Sequence, residues 1–221
     1  MSAETAAALG GAALAGAGAR ELELKAVVPD ASGLAARLAA AGATRTFRGV
    51  MRDRRYDRPD RSLLARDEVV RVRAFEPAGF GEARAELTWK GPTKQTDGYK
   101  EREELQFGVD DAAAAGAALG HLGFEVSDAI DRAVEYYELA GAAVRIEWYP
   151  RMDVLVEVEG TPEEIERAAR ASGIPRGDFT ADRLLDFAGR FRGRTGTDAV
   201  LRLDGLGANE RPGWPQWAVR R

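Results

Sequence analysis

Acidic and basic residues alternate with a spacing of two along several short stretches of this sequence. The first stretch is Glu21-x-Glu23-x-Lys25, and the last is Glu157-x-Glu159. Residues two apart in an extended strand lie on the same face, so each stretch would place its charges side by side. Clustered carboxylates bind hard cations such as Mg²⁺ or Mn²⁺, while Lys and Arg bind phosphate oxygens. The pattern therefore indicates metal-assisted chemistry on a phosphorylated substrate.

Other segments between these two carry charged faces of the same kind. A single charged face is usually the solvated side of a sheet, but solvated faces normally mix Thr, Ser and Gln with the charges. Because the charged faces recur on many strands and the two signs nearly balance, they favour a charged interior in which ions are paired. The further cations on these faces are Arg71, Arg73, Lys90, Lys100, Arg102, Arg132 and Arg145, and the further carboxylates are Glu86, Glu104 and Glu147.

The elements that must position these residues are mostly strands. Predicted strands cover 20–28, 66–75, 82–91, 98–107, 130–138, 142–149 and 153–160. Predicted helices cover 30–42, 110–122, 161–172 and 180–191. Many strands with few helices favour an α+β fold in which a closed antiparallel β-barrel of about eight strands encloses a charged tunnel. The helices would pack outside the barrel.

The composition excludes several kinds of site. The chain has no Cys, so it has no disulfide, thiolate nucleophile or Cys-ligated zinc. His121 is the one histidine, which excludes an HExxH zinc site and a pair of catalytic histidines. The formal net charge of −4 gives no basic excess to attract nucleic acid or an anionic membrane. We therefore expect neither as a partner.

The two ends of the chain differ from the middle. Residues 1–19 form an Ala- and Gly-rich leader that we expect to be disordered, 20–190 form the tunnel domain, and 191–221 form an Arg-, Gly- and Trp-containing tail. Trp214 and Trp217 are expected to dock this tail on the domain. Because the leader lacks a basic segment and no apolar stretch is long enough to span a bilayer, we expect a cytoplasmic protein.

The ordered motifs resemble the CYTH superfamily, the triphosphate tunnel metalloenzymes. The resemblance covers about residues 20–190 and is nearest to the class IV adenylate cyclases, with thiamine triphosphatases and tripolyphosphatases as other members. The ExExK motif at 21–25 is followed by Tyr56-Asp57-Arg58-Pro59-Asp60, Arg71-Val-Arg73, Leu87-Thr-Trp-Lys90-Gly-Pro, Lys100-Glu-Arg102-Glu-Glu104 and Glu157-Val-Glu159.

The resemblance also implies roles for individual residues. Mg²⁺ or Mn²⁺, as two ions, would be held by Glu21, Glu23, Glu104, Glu147, Glu157 and Glu159. Substrate phosphates would be bound by Lys25, Arg71, Arg73, Lys90, Arg102, Arg132 and Arg145. Of these residues, Glu21, Glu23 and Lys25 would be catalytic.

The sequence departs from the family pattern on the strands near 134 and 147. Val134 stands where the family usually has an arginine, and Glu147 stands where it usually has an aspartate. A segment with bulky residues, 148–152, replaces a turn that is often Gly-rich. Arg145 or Arg151 could supply the missing cation.

The resemblance implies cyclisation of ATP to cAMP and pyrophosphate. One alternative is a triphosphatase for thiamine triphosphate, a nucleoside triphosphate or tripolyphosphate. A second is a diverged enzyme for a prenyl diphosphate, suggested by Trp89, Trp148, Tyr149 and Met152. A third is a non-catalytic binder of nucleotide or polyphosphate. In each case the partner is a small-molecule triphosphate or diphosphate. The sequence leaves open whether the protein forms a homodimer.

Overall fold

A closed barrel of eight antiparallel strands forms the centre of the molecule. The computed structural model describes residues 19–219, so the predicted leader lies outside the described residues except for Ala19. The strands run in the order β1-β9-β8-β7-β2-β3-β4-β6, and pairing of β1 with β6 closes the barrel, as predicted. A ninth strand, β5, pairs with β6. The strands are β1 (Ala19–Val27), β2 (Thr44–Asp57), β3 (Val69–Phe80), β4 (Arg84–Lys90), β5 (Lys94–Thr96), β6 (Tyr99–Val109), β7 (Glu125–Leu139), β8 (Ala142–Trp148) and β9 (Leu155–Glu159).

Strand β2 is the main element that the sequence pattern does not predict. It has 14 residues and pairs with both β3 and β7, so it belongs to the continuous barrel wall. Its charges fall on both faces, since Asp53 lies inside the barrel while Arg52 and Arg54 point the other way along the alternation. Without one apolar face, the segment shows no clear period of two.

The strand register places several pairs of opposite charge directly across from one another, although Glu23 lies opposite Glu159. Between β1 and β6, Glu21 lies opposite Arg102 and Glu23 lies opposite Lys100. Between β1 and β9, Lys25 lies opposite Glu157. Cross-strand pairs of opposite charge stabilise a sheet, whereas like charges in the same positions would destabilise it.

Six α-helices in the described residues lie outside the barrel wall. They are α1 (Ala31–Ala40), α2 (Ser62–Ala65), α3 (Ala112–His121), α4 (Pro162–Ser172), α5 (Leu184–Thr195) and α6 (Gln216–Val219). The predicted helix at 180–191 begins later, because the backbone of Thr180 exchanges two hydrogen bonds with Lys25 and is held extended. No helix in the described part of the chain is long and apolar enough to cross a membrane.

Helices α1 and α4 cover the apolar outer face of the barrel. Leu34 and Leu38 of α1 and Ile165 of α4 pack with Leu24 and Val158 of the wall in the largest buried cluster. At the N-terminus of α4, Thr161 and Glu164 form a capping box. With the apolar side chains outside, the alternation of each strand leaves its charged side chains to the interior.

The C-terminal tail lies against the domain. The Trp217 ring meets the Trp148 ring edge to face, with the ring centres 5.8 Å apart. The Arg48 guanidinium lies 5.5 Å from the centre of the same Trp217 ring. The tail therefore covers part of the barrel wall, and the proposed division of the chain at 190 stays a prediction.

The packing of α4 generates a stability prediction. Ile165 is 0% exposed, so Ile165→Ala should lower the free energy of unfolding by about 2–5 kcal/mol in urea denaturation, because it leaves a cavity. Leu122, at 66% exposure, is the control, and Leu122→Ala should change stability by less than about 0.5 kcal/mol. Equal stability of the two variants would contradict the packing described for α4.

Candidate metal and phosphate site

The interior of the barrel is a cavity of about 390 Å³ lined mainly by charged side chains. The structure brings every site residue predicted from the sequence to this one cavity. The lining residues that were predicted are Glu21, Glu23, Lys25, Arg71, Arg73, Lys90, Arg102, Glu104, Arg132, Arg145, Glu147, Glu157 and Glu159.

Four glutamates from two neighbouring strands form a compact acidic group. Glu21 and Glu23 come from β1, Glu157 and Glu159 come from β9, and one carboxylate oxygen from each lies within 4.8 Å of the others. Such a donor set, made only of carboxylate oxygens, fits a hard cation such as Mg²⁺ or Mn²⁺. We call these residues the four-glutamate group.

The other two predicted metal ligands lie outside the four-glutamate group. Glu104 accepts from Lys90 at 2.9 Å. Glu147 is paired with Arg132 at 2.9 Å and accepts a hydrogen bond from the Tyr149 hydroxyl at 2.6 Å. In this structure both carboxylates pair with cations.

Burial and neighbouring charges give the carboxylates of the four-glutamate group different proton affinities. Burial alone would raise the pKa of Glu23, but Lys25 and Lys100 hold it well below its ordinary value. Burial raises the pKa of Glu159 to about 8, with Arg145 opposing the shift and Glu21 adding to it. One carboxyl of the group is therefore protonated near neutral pH, which relieves repulsion among the four.

Three lysines lie against the same carboxylates. Lys25 contacts Glu23 at 2.5 Å and Glu157 at 2.7 Å. Lys100 also contacts Glu23, and Lys90 contacts Glu21. Burial, together with the nearby Lys25, lowers the pKa of Lys100 to about 8. These ammonium groups therefore lie close to any ligand that the four-glutamate group holds.

A buried aspartate that the sequence analysis missed orders the arginines of the barrel. Asp53, on β2, is 1% exposed and accepts two hydrogen bonds from Arg73, at 2.7 and 2.9 Å. Arg132 lies 3.2 Å and Arg71 lies 3.8 Å from the same carboxylate. Burial alone would raise the pKa of Asp53, but the three guanidinium groups hold it well below its ordinary value. Asp53 therefore stays ionised and fixes three phosphate-binding candidates.

The remaining predicted arginines are also engaged. Arg145 contacts both Glu157 and Glu159. Arg102 donates to the backbone carbonyls of Gly91 at 2.6 Å and Asp67 at 2.5 Å. Its guanidinium thus holds two loops in place as well as lining the cavity.

Apolar side chains occupy the interior beside these charges. Val134 is fully buried with Phe47, Met51, Phe75 and Tyr136, and we call these five residues the aromatic cluster. Phe47, Phe75 and Tyr136 also line the cavity. Val134 therefore faces inward, as its spacing from Arg132 predicts, and packs against rings.

The bulky residues that suggested an apolar substrate do not gather in the cavity. Of that set only Tyr149 belongs to the lining, while Trp148 packs against Trp217. Met152 is absent from the lining and packs against the apolar cluster that includes Tyr149. Arg151 pairs with Glu210 at 2.5 Å and is also absent from the lining, so the idea that it supplies a missing cation is wrong.

Comparisons with known proteins agree with this geometry. A model of the CYTH domain matches residues 19–181. No curated protein matches the sequence significantly.

Solved structures with a similar fold come from several organisms. An adenylate cyclase candidate from Vibrio parahaemolyticus aligns with a TM-score of 0.64 and 16% identity, covering 78% of this chain and 99% of its own. A conserved hypothetical protein from Pyrococcus furiosus aligns with a TM-score of 0.59 and 19% identity, covering 76% of this chain and 99% of its own. HpAC1 from Hippeastrum is an adenylyl cyclase candidate described as having a dominant triphosphatase activity. It aligns with a TM-score of 0.54 and 16% identity, covering 82% of this chain and 99% of its own. At these identities the likeness is one of fold.

The arrangement around Asp53 generates a prediction for stability and its pH dependence. Asp53→Asn leaves three buried guanidinium groups without their shared carboxylate, so it should destabilise the protein by about 3–5 kcal/mol at pH 7. Because the folded state lowers the pKa of Asp53, its contribution is present above the unfolded value of about 3.9 and is lost as the pH falls through the folded value. The difference between wild type and variant should therefore shrink in acid.

Denaturant unfolding across this pH range is the measurement. The matched control is Asp128→Asn, which removes a carboxylate that is 48% exposed and lies 3.6 Å from Arg55. This control should cost less than about 1 kcal/mol. A similar small cost for Asp53→Asn would contradict the assigned pairing.

Proposed function

The chain belongs to the CYTH domain family, and on that premise we propose that it is a divalent-metal-dependent enzyme acting on a small-molecule triphosphate inside the barrel. The observation that carries this proposal is the four-glutamate group, whose oxygens lie within 4.8 Å of one another in a cavity also lined by arginines and lysines. A site with both signs of charge suits a polyphosphate chelated to a cation.

The proposed metal ligands are Glu21, Glu23, Glu157 and Glu159. A bound Mg²⁺ or Mn²⁺ would supply charge neutralisation at the phosphate oxygens. Glu104 and Glu147 stay as candidates for further ligands, and the number of ions stays at the proposed two. Lys25 lies between Glu23 and Glu157, where its ammonium group can bind a phosphate oxygen beside the metal.

The proposed phosphate ligands besides Lys25 are lysines and arginines of other strands that line the same cavity. Arg71 and Arg73 come from one strand, and Asp53 keeps their guanidinium groups ordered before the substrate arrives. Such preorganisation lowers the entropy that binding must lose. Lys90, Arg132 and Arg145 line the same cavity and complete the proposed set. Arg102 also lines it and binds the backbone carbonyls of Gly91 and Asp67.

Cyclisation of ATP is the reaction that the TWKGP and KEREE segments favour. The 3′-hydroxyl oxygen would form a bond to the α-phosphorus, the bond to the bridging oxygen would break, and pyrophosphate would leave. The hydroxyl proton passes to a base or to solvent. In this reaction the residues of the cavity orient the triphosphate and neutralise the charge on the leaving group.

Hydrolysis of a triphosphate is the second candidate. It is favoured by a lining rich in groups that bind phosphates. HpAC1, a protein of similar fold, is described as having a dominant triphosphatase activity. Water replaces the hydroxyl as the attacking group, and the same cations stabilise the transferred phosphoryl group. A prenyl diphosphate has less support, since Trp89, Trp148 and Met152 are absent from the cavity lining.

A substrate panel separates these reactions. The protein is incubated with Mg²⁺ or Mn²⁺ and, separately, with ATP, thiamine triphosphate, tripolyphosphate and a prenyl diphosphate, and the products are identified by mass spectrometry. Cyclic AMP with pyrophosphate supports cyclisation, and orthophosphate supports hydrolysis. No turnover of any triphosphate would contradict the proposed enzyme and favour a binding protein.

Removal of one proposed metal ligand should abolish activity without unfolding the protein. Glu23→Gln keeps the side-chain volume but removes a charge, so turnover should fall by about 100-fold or more, and excess chelator should have the same effect on wild type. Glu103→Gln is the control, since Glu103 is exposed on the same barrel strand as Glu104. Full turnover of Glu23→Gln, measured on the active substrate of the panel, would refute the metal assignment.

Metal affinity should also depend on pH. Since the pKa of Glu159 is raised to about 8, this carboxyl holds a proton at pH 6 that a bound cation must displace. We expect Mn²⁺ affinity to rise from pH 6 to pH 8, by at most about tenfold per pH unit, and then to level off. Titration calorimetry measures this rise. The Glu159→Gln variant should bind more weakly and show a shallower slope, since Lys100, with a pKa of about 8, still loses its charge beside Glu23. A flat profile for wild type would contradict the prediction.

A further inference from the structure

Arg84 occupies a distinctive position at the aromatic cluster. Its guanidinium carbon lies 3.6 Å from the centre of the Phe75 ring and 5.2 Å from that of Phe47. Stacking on an aromatic face holds a guanidinium flat and leaves its edge free for hydrogen bonds. Arg84 lines the same cavity as the four-glutamate group, although sequence analysis did not select it.

Among the arginines placed in the cavity above, Arg84 has the terminal nitrogens with the fewest hydrogen bonds and ion pairs. Its hydrogen bond runs from Nε to Glu86 at 3.3 Å, and the described residues offer no hydrogen-bond acceptor to its two terminal nitrogens. By contrast, Arg73 gives Nε and a terminal nitrogen to Asp53, and Arg145 gives a terminal nitrogen to glutamates. Arg84 therefore presents both terminal nitrogens to a ligand.

The strand register places Arg84 next in line after the paired arginines. Thr88 lies opposite Arg71, Glu86 lies opposite Arg73, and Arg84 lies opposite Phe75. Each step of two residues advances about 7 Å along a strand. The Arg73 and Arg84 guanidinium groups also share a ring, since Arg73 lies 5.8 Å from the centre of Phe75. The cations thus form a row along the barrel wall that ends at the aromatic cluster.

We infer that Arg84 binds the phosphoryl group of a triphosphate that lies farthest along this row, and so selects triphosphates over diphosphates. The inference rests on the proposed function, because it assumes that the phosphate chain lies along Arg71 and Arg73. A diphosphate held by those two arginines does not reach the end of the row. A third phosphoryl group meets the two free nitrogens of Arg84, which match its oxygens as a fork.

Direct binding tests this assignment. Dissociation constants for tripolyphosphate and pyrophosphate are measured by titration calorimetry in saturating Ca²⁺ without Mg²⁺ or Mn²⁺, so that each ligand carries a divalent ion that carboxylates can bind. Arg84→Ala should weaken tripolyphosphate binding by about tenfold or more, the loss expected for one charge-assisted contact, and pyrophosphate binding by less than about threefold. Arg84→Lys, which keeps the charge but loses the planar fork, should fall between wild type and Arg84→Ala for tripolyphosphate.

Two control variants locate the source of a failure. Arg190→Ala removes an arginine that also stacks on a ring, at 4.3 Å from Phe187, but that lies outside the cavity lining, so it should leave both constants unchanged. Arg71→Ala should weaken both ligands. Suppose that Arg71→Ala weakens binding of both ligands, while Arg84→Ala either leaves both dissociation constants at the wild-type values or raises both equally. The role of Arg84 is then refuted, and the proposed function stands. If wild type binds neither ligand, the proposed function fails and this assignment with it.

Discussion

Every charge inside the barrel requires a partner of opposite sign, and the rest of the structure depends on that constraint. Moving an ion out of water costs several kcal/mol, and close pairing offsets the cost only when the geometry is good. Asp53 meets this condition most fully, since its carboxylate is almost completely buried and lies near Arg71, Arg73 and Arg132. The alternation of acid and base on facing strands meets it elsewhere.

An interior that carries both signs of charge also limits what it can bind. A bare polyphosphate would meet the repulsion of the four-glutamate group, and a bare cation would meet the lysines beside it. A polyphosphate that carries its own divalent ion can place the cation at the four glutamates and its phosphate oxygens at the lysines and arginines. The architecture thus supports the proposed substrate class.

Much of the barrel could be predicted because its strands keep a period of two. Glu21, Glu23 and Lys25 show that period, and all three reach the cavity. Strand β2 was not predicted because charges occupy both of its faces, and Asp53, which lies on β2, was therefore not selected either. Arg84 was missed for another reason. Its role depends on Phe75, which lies across the sheet on a different strand, and such a contact leaves no pattern within one segment.

The most direct test of the central claim is anomalous diffraction from crystals of the wild-type protein soaked with Mn²⁺ and tripolyphosphate. The account predicts anomalous peaks bounded by Glu21, Glu23, Glu157 and Glu159, with phosphate density continuing toward Arg71 and Arg73. Manganese bound elsewhere, with no peak between those four glutamates at saturating Mn²⁺, would contradict it.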